Sequence, residues 1–368
     1  MRTPLLLVGI LALAARPAVA EPLCAASDVR LEERVATATE TSCHALGWTR
    51  CALGYEVFLS HPEVMEHAAP WSDCGSQIQS IAEWGMLGLA PEGWPAAEVG
   101  VSDVGATLLE TTNLDFLFDA EALARRPLES VVLSESTETS SSGATYLQRR
   151  LLLRDPFVGE IPALLLLPPG TGSVPAVVAL PGHGEDPEAF RDLRMGQFFP
   201  EQGLALLIVG FRAWTRPEED HRLSATFLCA GFSLAMVRAY EALVALRYLQ
   251  ASSRTCGQRL GVIGHSGGAS TGNLLAWLEV NPAVAHVTDL QAEYLTSDEL
   301  GMIDCETHPG LHAHWESVVW FDGAPRAILE VPYQFGGTME NEYPPDPEDP
   351  ASTSLFMPFL LEHLTPTP

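Results

Sequence analysis

Arg259-Leu260-Gly261-Val262-Ile263-Gly264-His265-Ser266-Gly267-Gly268, followed by a helical pattern over 269–279, decides how the rest of this chain is read. The aliphatic run predicts a strand, the glycine-flanked serine a sharp turn, and the residues after it a helix. Glycine stands two places before and two places after Ser266. That spacing fits a serine whose backbone is strained, because a side chain at either place would strike the adjoining strand or helix. Motifs of the form G-x-S-x-G are common in proteins at large. The strand before this one and the helix after it give it meaning, since together they lift the serine to the tip of a strand.

Outward from that stretch, residues 129 onward follow one grammar. Residues 131–133, 146–153 and 161–167 predict consecutive strands, with the polar run 134–142 and Gly143 forming the first turn. Strands at 176–180, 205–209, 260–263, 284–287 and 327–331 then alternate with helices at 187–202, 231–251 and 266–280, and a terminal helix covers 354–364. Apolar strands alternating with helices imply an α/β architecture: a mostly parallel, doubly wound sheet covered on both faces. Chemistry in such sheets gathers at the carboxyl ends of the strands, where Ser266 falls.

Residues 21–128 are read differently. They show no strand-like alternation and carry short helical patterns at 29–39 and 78–89, so a mainly helical, cysteine-containing accessory segment is expected to pack on the 129–368 domain. His61 and His67 flank a helical stretch, match no common metal spacing and are expected in solvent. Residues 1–20 have the form of a secretory signal: Arg2, an apolar run over 5–15, then Ala18-Val19-Ala20. The run is too short for a membrane anchor, and an exported, periplasmic or extracellular protein is expected.

The seven cysteines are 24, 43, 51, 74, 229, 256 and 305. In an oxidising compartment the first four predict one or two disulfides within the N-terminal segment, in any of three pairings, and Cys229 is expected as a buried thiol. The formal charge of −27 becomes about −29 once Arg2 and Arg16 leave with the signal. Such a surface repels nucleic acid and anionic lipid and leaves neutral or cationic partners. The expected partner is therefore a small-molecule or carbohydrate substrate, and no cofactor or metal is implied. Oligomeric state is not legible.

A nucleophilic serine needs amide donors where charge develops on the substrate oxygen. Gly267, directly after Ser266, supplies one. The loop after strand 176–180, Pro181-Gly182-His183-Gly184-Glu185, is glycine-rich and supplies the second through the His183 amide.

Residues 146–344 resemble the acetyl xylan esterase and dienelactone hydrolase branch of the α/β-hydrolases. The resemblance rests on Pro181-Gly182-His183-Gly184, on Ala230-Gly231-Phe232-Ser233-Leu234 with Tyr240-Glu241-Ala242-Leu243, on Cys305 with Pro309-Gly310-Leu311, and on Ala324-Pro325-Arg326. Proline replaces the first histidine of that family's "HGHG"-like loop. The resemblance implies an α/β-hydrolase fold and a secreted serine esterase acting through an acyl-enzyme, with small acyl groups on carbohydrate as the substrate class. It places the catalytic acid at Glu340 in Gly337-Thr338-Met339-Glu340-Asn341-Glu342-Tyr343-Pro344, glutamate standing where aspartate is usual and Glu342 being the rival.

The chain departs from that family at the base. Pro344, Pro345, Pro347 and Pro350 follow, no eighth strand or histidine loop is legible, and His363 is the one histidine downstream of Glu340. It lies on or beside the apolar stripe of the terminal helix, where a structural role is expected over that of base. His265 adjoins the nucleophile but is expected to point away. His308, His312 and His314 lie before strand 327–331, and Arg212 is read as a loop anchor. The missing histidine loop keeps a second reading open: a degenerate hydrolase that serves the envelope as a non-catalytic binding protein.

Overall fold

The computed structural model describes Cys24, Gly105, Leu109 and residues 28–38, 56–68, 113–194, 196–211, 217–288, 326–330 and 356–365. Its strands are β1 (Leu31–Val35), β2 (Leu128–Thr139), β3 (Thr145–Asp155), β4 (Gly159–Leu167), β5 (Val174–Leu180), β6 (Ala205–Val209), β7 (Thr255–Gly264), β8 (Ala285–Thr288) and β9 (Ala327–Glu330). Its helices are α1 (Glu56–Ser60), α2 (Pro62–His67), α3 (Ala120–Arg125), α4 (Pro187–Leu193), α5 (Phe198–Glu201), α6 (Pro217–Ala230), α7 (Leu234–Ala251), α8 (Gly267–Ala276) and α9 (Phe356–Leu364).

Among the described residues one nine-stranded sheet runs in the order β1-β2-β3-β4-β6-β5-β7-β8-β9. The β6-β5-β7-β8-β9 block is parallel throughout, while β2, β3 and β4 join by antiparallel pairing. Side chains alternate strictly across it. Ala176, Val178 and Leu180 of β5 face a core built on α7, whereas Val177 and Ala179 face a second core with Phe356 and Leu360 of α9. Burial on both sides explains why these strands read as unbroken apolar runs. Helix α7 is buried over nearly its whole length, and Ser233 caps it by accepting from the Met236 amide.

Several boundaries differ from the sequence expectation. The stretch 29–39 holds a strand instead of a helix. β1 pairs parallel with β2 at the sheet edge, Arg34 reaches Glu129 at 2.8 Å, and Glu33 accepts from the Tyr248 hydroxyl at 3.1 Å. Charged side chains suit an edge strand, and they conceal its period. Residues 134–139 continue β2, and the turn is confined to 140–144. Their polar side chains lie on an exposed extension stitched to β3 by pairs such as Arg149–Glu135. The helix expected over 187–202 is two: α4 ends at Leu193, where the Gly196 amide donates back to the Arg191 carbonyl at 2.9 Å, and α5 starts at Phe198. The helix expected over 231–251 starts at Leu234, and α6 precedes it. The expected helix at 78–89 lies outside the described residues.

Phe58 stacks on Phe227 and meets Phe232 edge-on, and Val64, Leu114 and Leu117 share the same core, so this part of the N-terminal segment packs on the sheet domain. His61 and His67 are half-buried, with part of each ring open to solvent and part packed on an aromatic neighbour. Their rings lie 4.5 Å from Phe157 and 4.2 Å from Phe116. A buried polar chain completes the join. Arg126 donates to the Tyr240 hydroxyl, which donates to Asp155 at 2.7 Å, and Arg247 donates to the carbonyls of Leu123 and Arg126. Burial, then the Asp155 charge, holds the Tyr240 hydroxyl well above its usual pKa.

The cysteine expectation is corrected on two counts. Cys24 pairs with Cys256 in β7, 232 residues away, with Cα atoms 5.1 Å apart, so the bond ties the N-terminal segment to the sheet domain. Cys229 is also disulfide-bonded. Pairing follows three-dimensional proximity, which cysteine order does not reveal. No described helix is long and apolar enough to cross a membrane, and residues 1–20 lie outside the described part.

His286 of β8 gives a pH signature. It is fully buried, and its Nε2 lies 2.9 Å from Nδ2 of Asn281, whose oxygen accepts from the Ala283 amide. Burial, with the Arg326 charge second, lowers its pKa from 6.5 to about 3. The native state thus refuses a proton that the unfolded chain takes up below pH 6.5. Its contribution to stability is complete above pH 6.5 and is lost as pH falls toward 3, at up to about 1.4 kcal/mol per pH unit. In urea titrations across that window, the stability difference between wild type and His286→Gln should narrow toward acid pH. A constant difference contradicts this reading.

Candidate functional site

The site begins with the register of β5 against β7. Leu180 aligns with Gly264, so both strands end at one level and their following loops meet. The His265 amide donates to the Leu180 carbonyl at 3.0 Å, and α8 then starts at Gly267. Between them Ser266 sits at φ 51°, ψ −122°, a conformation that L side chains rarely adopt. It persists because the surroundings enforce it. A Cβ on Gly264 would lie 2.6 Å from the Ala269 Cα, and one on Gly268 would lie 2.0 Å from the Leu180 oxygen. The two glycines are therefore steric requirements, as the spacing predicts. Ser266 is half-buried, whereas His265 and Gly267 beside it are fully enclosed. The serine is the one residue of the turn that opens outward.

Gly267 is the first residue of α8, so its amide lies among those no carbonyl of its own helix can reach, at the positive end of the helix. The loop after β5 closes on the serine from the other side. A Cβ on Gly182 would sit 3.1 Å from Ser266 Cβ and 2.8 Å from the His265 ring, so only glycine permits this approach. Glu185 clamps the loop: its carboxylate accepts from the Gly182 amide at 2.9 Å and from Arg194 Nε at 2.6 Å. The Gly182 amide is thus committed within the loop and is not a second oxyanion donor. The His183 side chain turns toward α6, its Nε2 lying 3.5 Å from Oδ2 of Asp220, and Asp220 pairs with Arg238 of α7.

Ser266 and Gly267 accordingly stand at the end of the sheet beside the loop that carries His183. His265 is buried with its Nε2 3.8 Å from Glu185. The helix that carries His363 packs on β7: Leu360 and Leu364 of α9 lie against Gly261, three residues before the strand ends, while His363 is exposed with its ring edge-on to Phe359. Glu340, Glu342, His308, His312, His314 and Arg212 lie outside the described residues. Among the described residues no group of three His, Cys, Asp or Glu side chains forms a metal cluster.

Three residues of the site escaped the sequence reading: Glu185, Asp220 and Arg238. Glu185 stood in the quoted loop and carried a signal, since a carboxylate one residue after a glycine turn can accept from that turn's amides. Asp220 and Arg238 sit 18 residues apart on two helices, a pairing that no local pattern announces.

A mixed, mostly parallel sheet with a strand, a serine turn and a helix at its centre is consistent with the α/β-hydrolase fold. The structure is similar to acetyl xylan esterases and other esterases at low sequence identity. Acetyl xylan esterase from Paenibacillus sp. R4 matches at 12% identity and a TM-score of 0.42, over 78% of this chain and 99% of that one. Acetyl Xylan Esterase 1 from Thermoanaerobacterium sp. JW/SL YS485 matches at 12% identity and 0.41, over 78% and 98%. A glucuronoyl esterase from Solibacter usitatus matches at 15% and 0.32, over 44% and 51%. No protein-family model and no curated protein matches the sequence.

Proposed function

We propose that this chain is an exported serine hydrolase that cleaves carboxylic esters, with small acyl groups on carbohydrate as its substrate class. The observation that carries the reading is Ser266 itself, held at φ 51° at the end of a central strand and half-open to the outside. A protein gains nothing in stability from such a backbone, so strain kept in place by two glycines marks a site of use. In this reading the Ser266 oxygen attacks the ester carbonyl, and the new oxyanion is held by the amides of Gly267 and His183. The alcohol departs with the proton released from the serine. Water then attacks the acyl-enzyme, freeing the acid and restoring the hydroxyl.

Glu340 is the acid that the family resemblance offers, and the packing of His363 on Phe359 supports a structural role for that imidazole. Export draws on the signal-like residues 1–20, and the Cys24–Cys256 disulfide suits an oxidising compartment. The large negative charge suits an uncharged substrate. The test is chemical. A fluorophosphonate reacts only with an activated serine, so the folded protein should be labelled stoichiometrically, with the adduct on the peptide containing Ser266. Folded protein that takes up no label identifies a non-catalytic binding protein and overturns this function.

A further inference from the structure

We infer that Asp220 is a positioning residue for the site: acting through the His183 ring, it fixes the loop that closes on the Ser266 turn and carries the proposed His183 amide donor. The inference deepens the ester-hydrolase reading and rests on it for its catalytic consequence. The loop 181–185 has two anchors of different kinds. At one, Glu185 accepts from the Gly182 amide and from Arg194, so that half of the loop is held from within and from the end of α4. At the other, the His183 ring points into the protein, with Nε2 3.5 Å from Asp220 Oδ2.

Asp220 is 1% exposed and pairs with Arg238, which is fully buried in α7. A buried ion pair is a poor source of stability, since apolar side chains of the same volume serve a core at least as well. Here the pair links a helix buried over nearly its whole length to the residue next to Gly182, where an added Cβ would lie 3.1 Å from Ser266 Cβ. With the ring set against Asp220 of α6 and the Gly182 amide hydrogen-bonded to Glu185, the peptide between them is flanked on both sides. Its N–H, the His183 amide, is thereby aimed before substrate arrives. Preorganised donors of this kind act on the charge that develops in the transition state and leave ground-state binding nearly untouched.

The experiment compares wild type, Asp220→Asn and His183→Gln by amide hydrogen exchange with mass spectrometry and by kcat and KM on p-nitrophenyl acetate. Asp220→Asn leaves Arg238 without its carboxylate and can fail to fold, whereas His183→Gln keeps the Asp220–Arg238 pair intact. Exchange across 181–185 should quicken by about tenfold or more in the folded variants, with β5 and α8 peptides unchanged. In the same proteins kcat should fall about 10- to 100-fold while KM stays within about threefold. Unaltered exchange across 181–185 overturns the inference whatever the esterase assay gives. Loosened exchange in a protein whose wild type cleaves no ester upholds the positioning and sinks the ester reading alone. A kcat loss beyond about 10⁴-fold in His183→Gln with unaltered exchange also overturns it, by making the ring itself a chemical participant.

Discussion

Ser266→Ala should lower kcat for p-nitrophenyl acetate by about 10³- to 10⁶-fold, with the melting temperature equal to or above that of wild type. The rate loss follows from removing the only atom proposed to form the acyl bond. What remains is the amides of Gly267 and His183 acting on a water-driven reaction, which is worth far less than covalent catalysis. A loss of 10⁴-fold would correspond to about 5.5 kcal/mol of transition-state stabilisation. The stability side is independent of it. Alanine keeps the φ of 51° that the glycines enforce, and it removes a hydroxyl from a half-buried position, so the fold should not suffer. Turnover and thermal melts on one preparation separate the two effects. Wild-type turnover in this variant would remove the serine from the mechanism.

Gly268→Ala should destabilise the protein by about 4 kcal/mol or more, enough to abolish soluble expression in a domain of ordinary stability. The new Cβ would lie 2.0 Å from the Leu180 oxygen and 2.5 Å from the Pro181 oxygen. Both are backbone atoms, and Leu180 also accepts from the His265 amide, so nothing nearby can swing aside. The clash is relieved only by prising β5 and its loop from the start of α8, which separates the two halves of the site. Gly272→Ala, one turn further along α8, is the control. Its Cβ would meet only the side chains of Leu180 and Val262, both at 3.6 Å, and alanine favours the helix by about 1 kcal/mol. Urea denaturation should rank Gly272→Ala at or above wild type and Gly268→Ala far below. Equal stabilities would mean that the turn is not packed as described.

What was legible in the sequence follows from the range of the forces involved. The serine turn could be read because its steric demands fall on residues two places away, so glycine at 264 and 268 encodes a three-dimensional clash in a one-dimensional spacing. Strands β4, β5 and β6 could be read because burial on both faces writes them as apolar runs. β1 could not, since Leu31-Glu32-Glu33-Arg34-Val35 carries charges that suit an exposed edge and a helix alike. The polar half of β2 was hidden for the same reason. In the site, His183 was found for its amide, while the partner of its ring was not, because Asp220 is brought there by the packing of α6 on α7. The cysteine pairing was hidden too, since distance in the fold chooses partners that order in the chain does not.

The bond between Cys24 and Cys256 has a consequence for biogenesis. A chain that emerges amino end first presents Cys43, Cys51, Cys74 and Cys229 to Cys24 before its true mate has left the ribosome. Each is a wrong partner available earlier, and thiolate attack does not wait for the fold. Any such early pair must be exchanged before the native bond can form, so the yield of correctly bridged protein should rise with the supply of a disulfide isomerase.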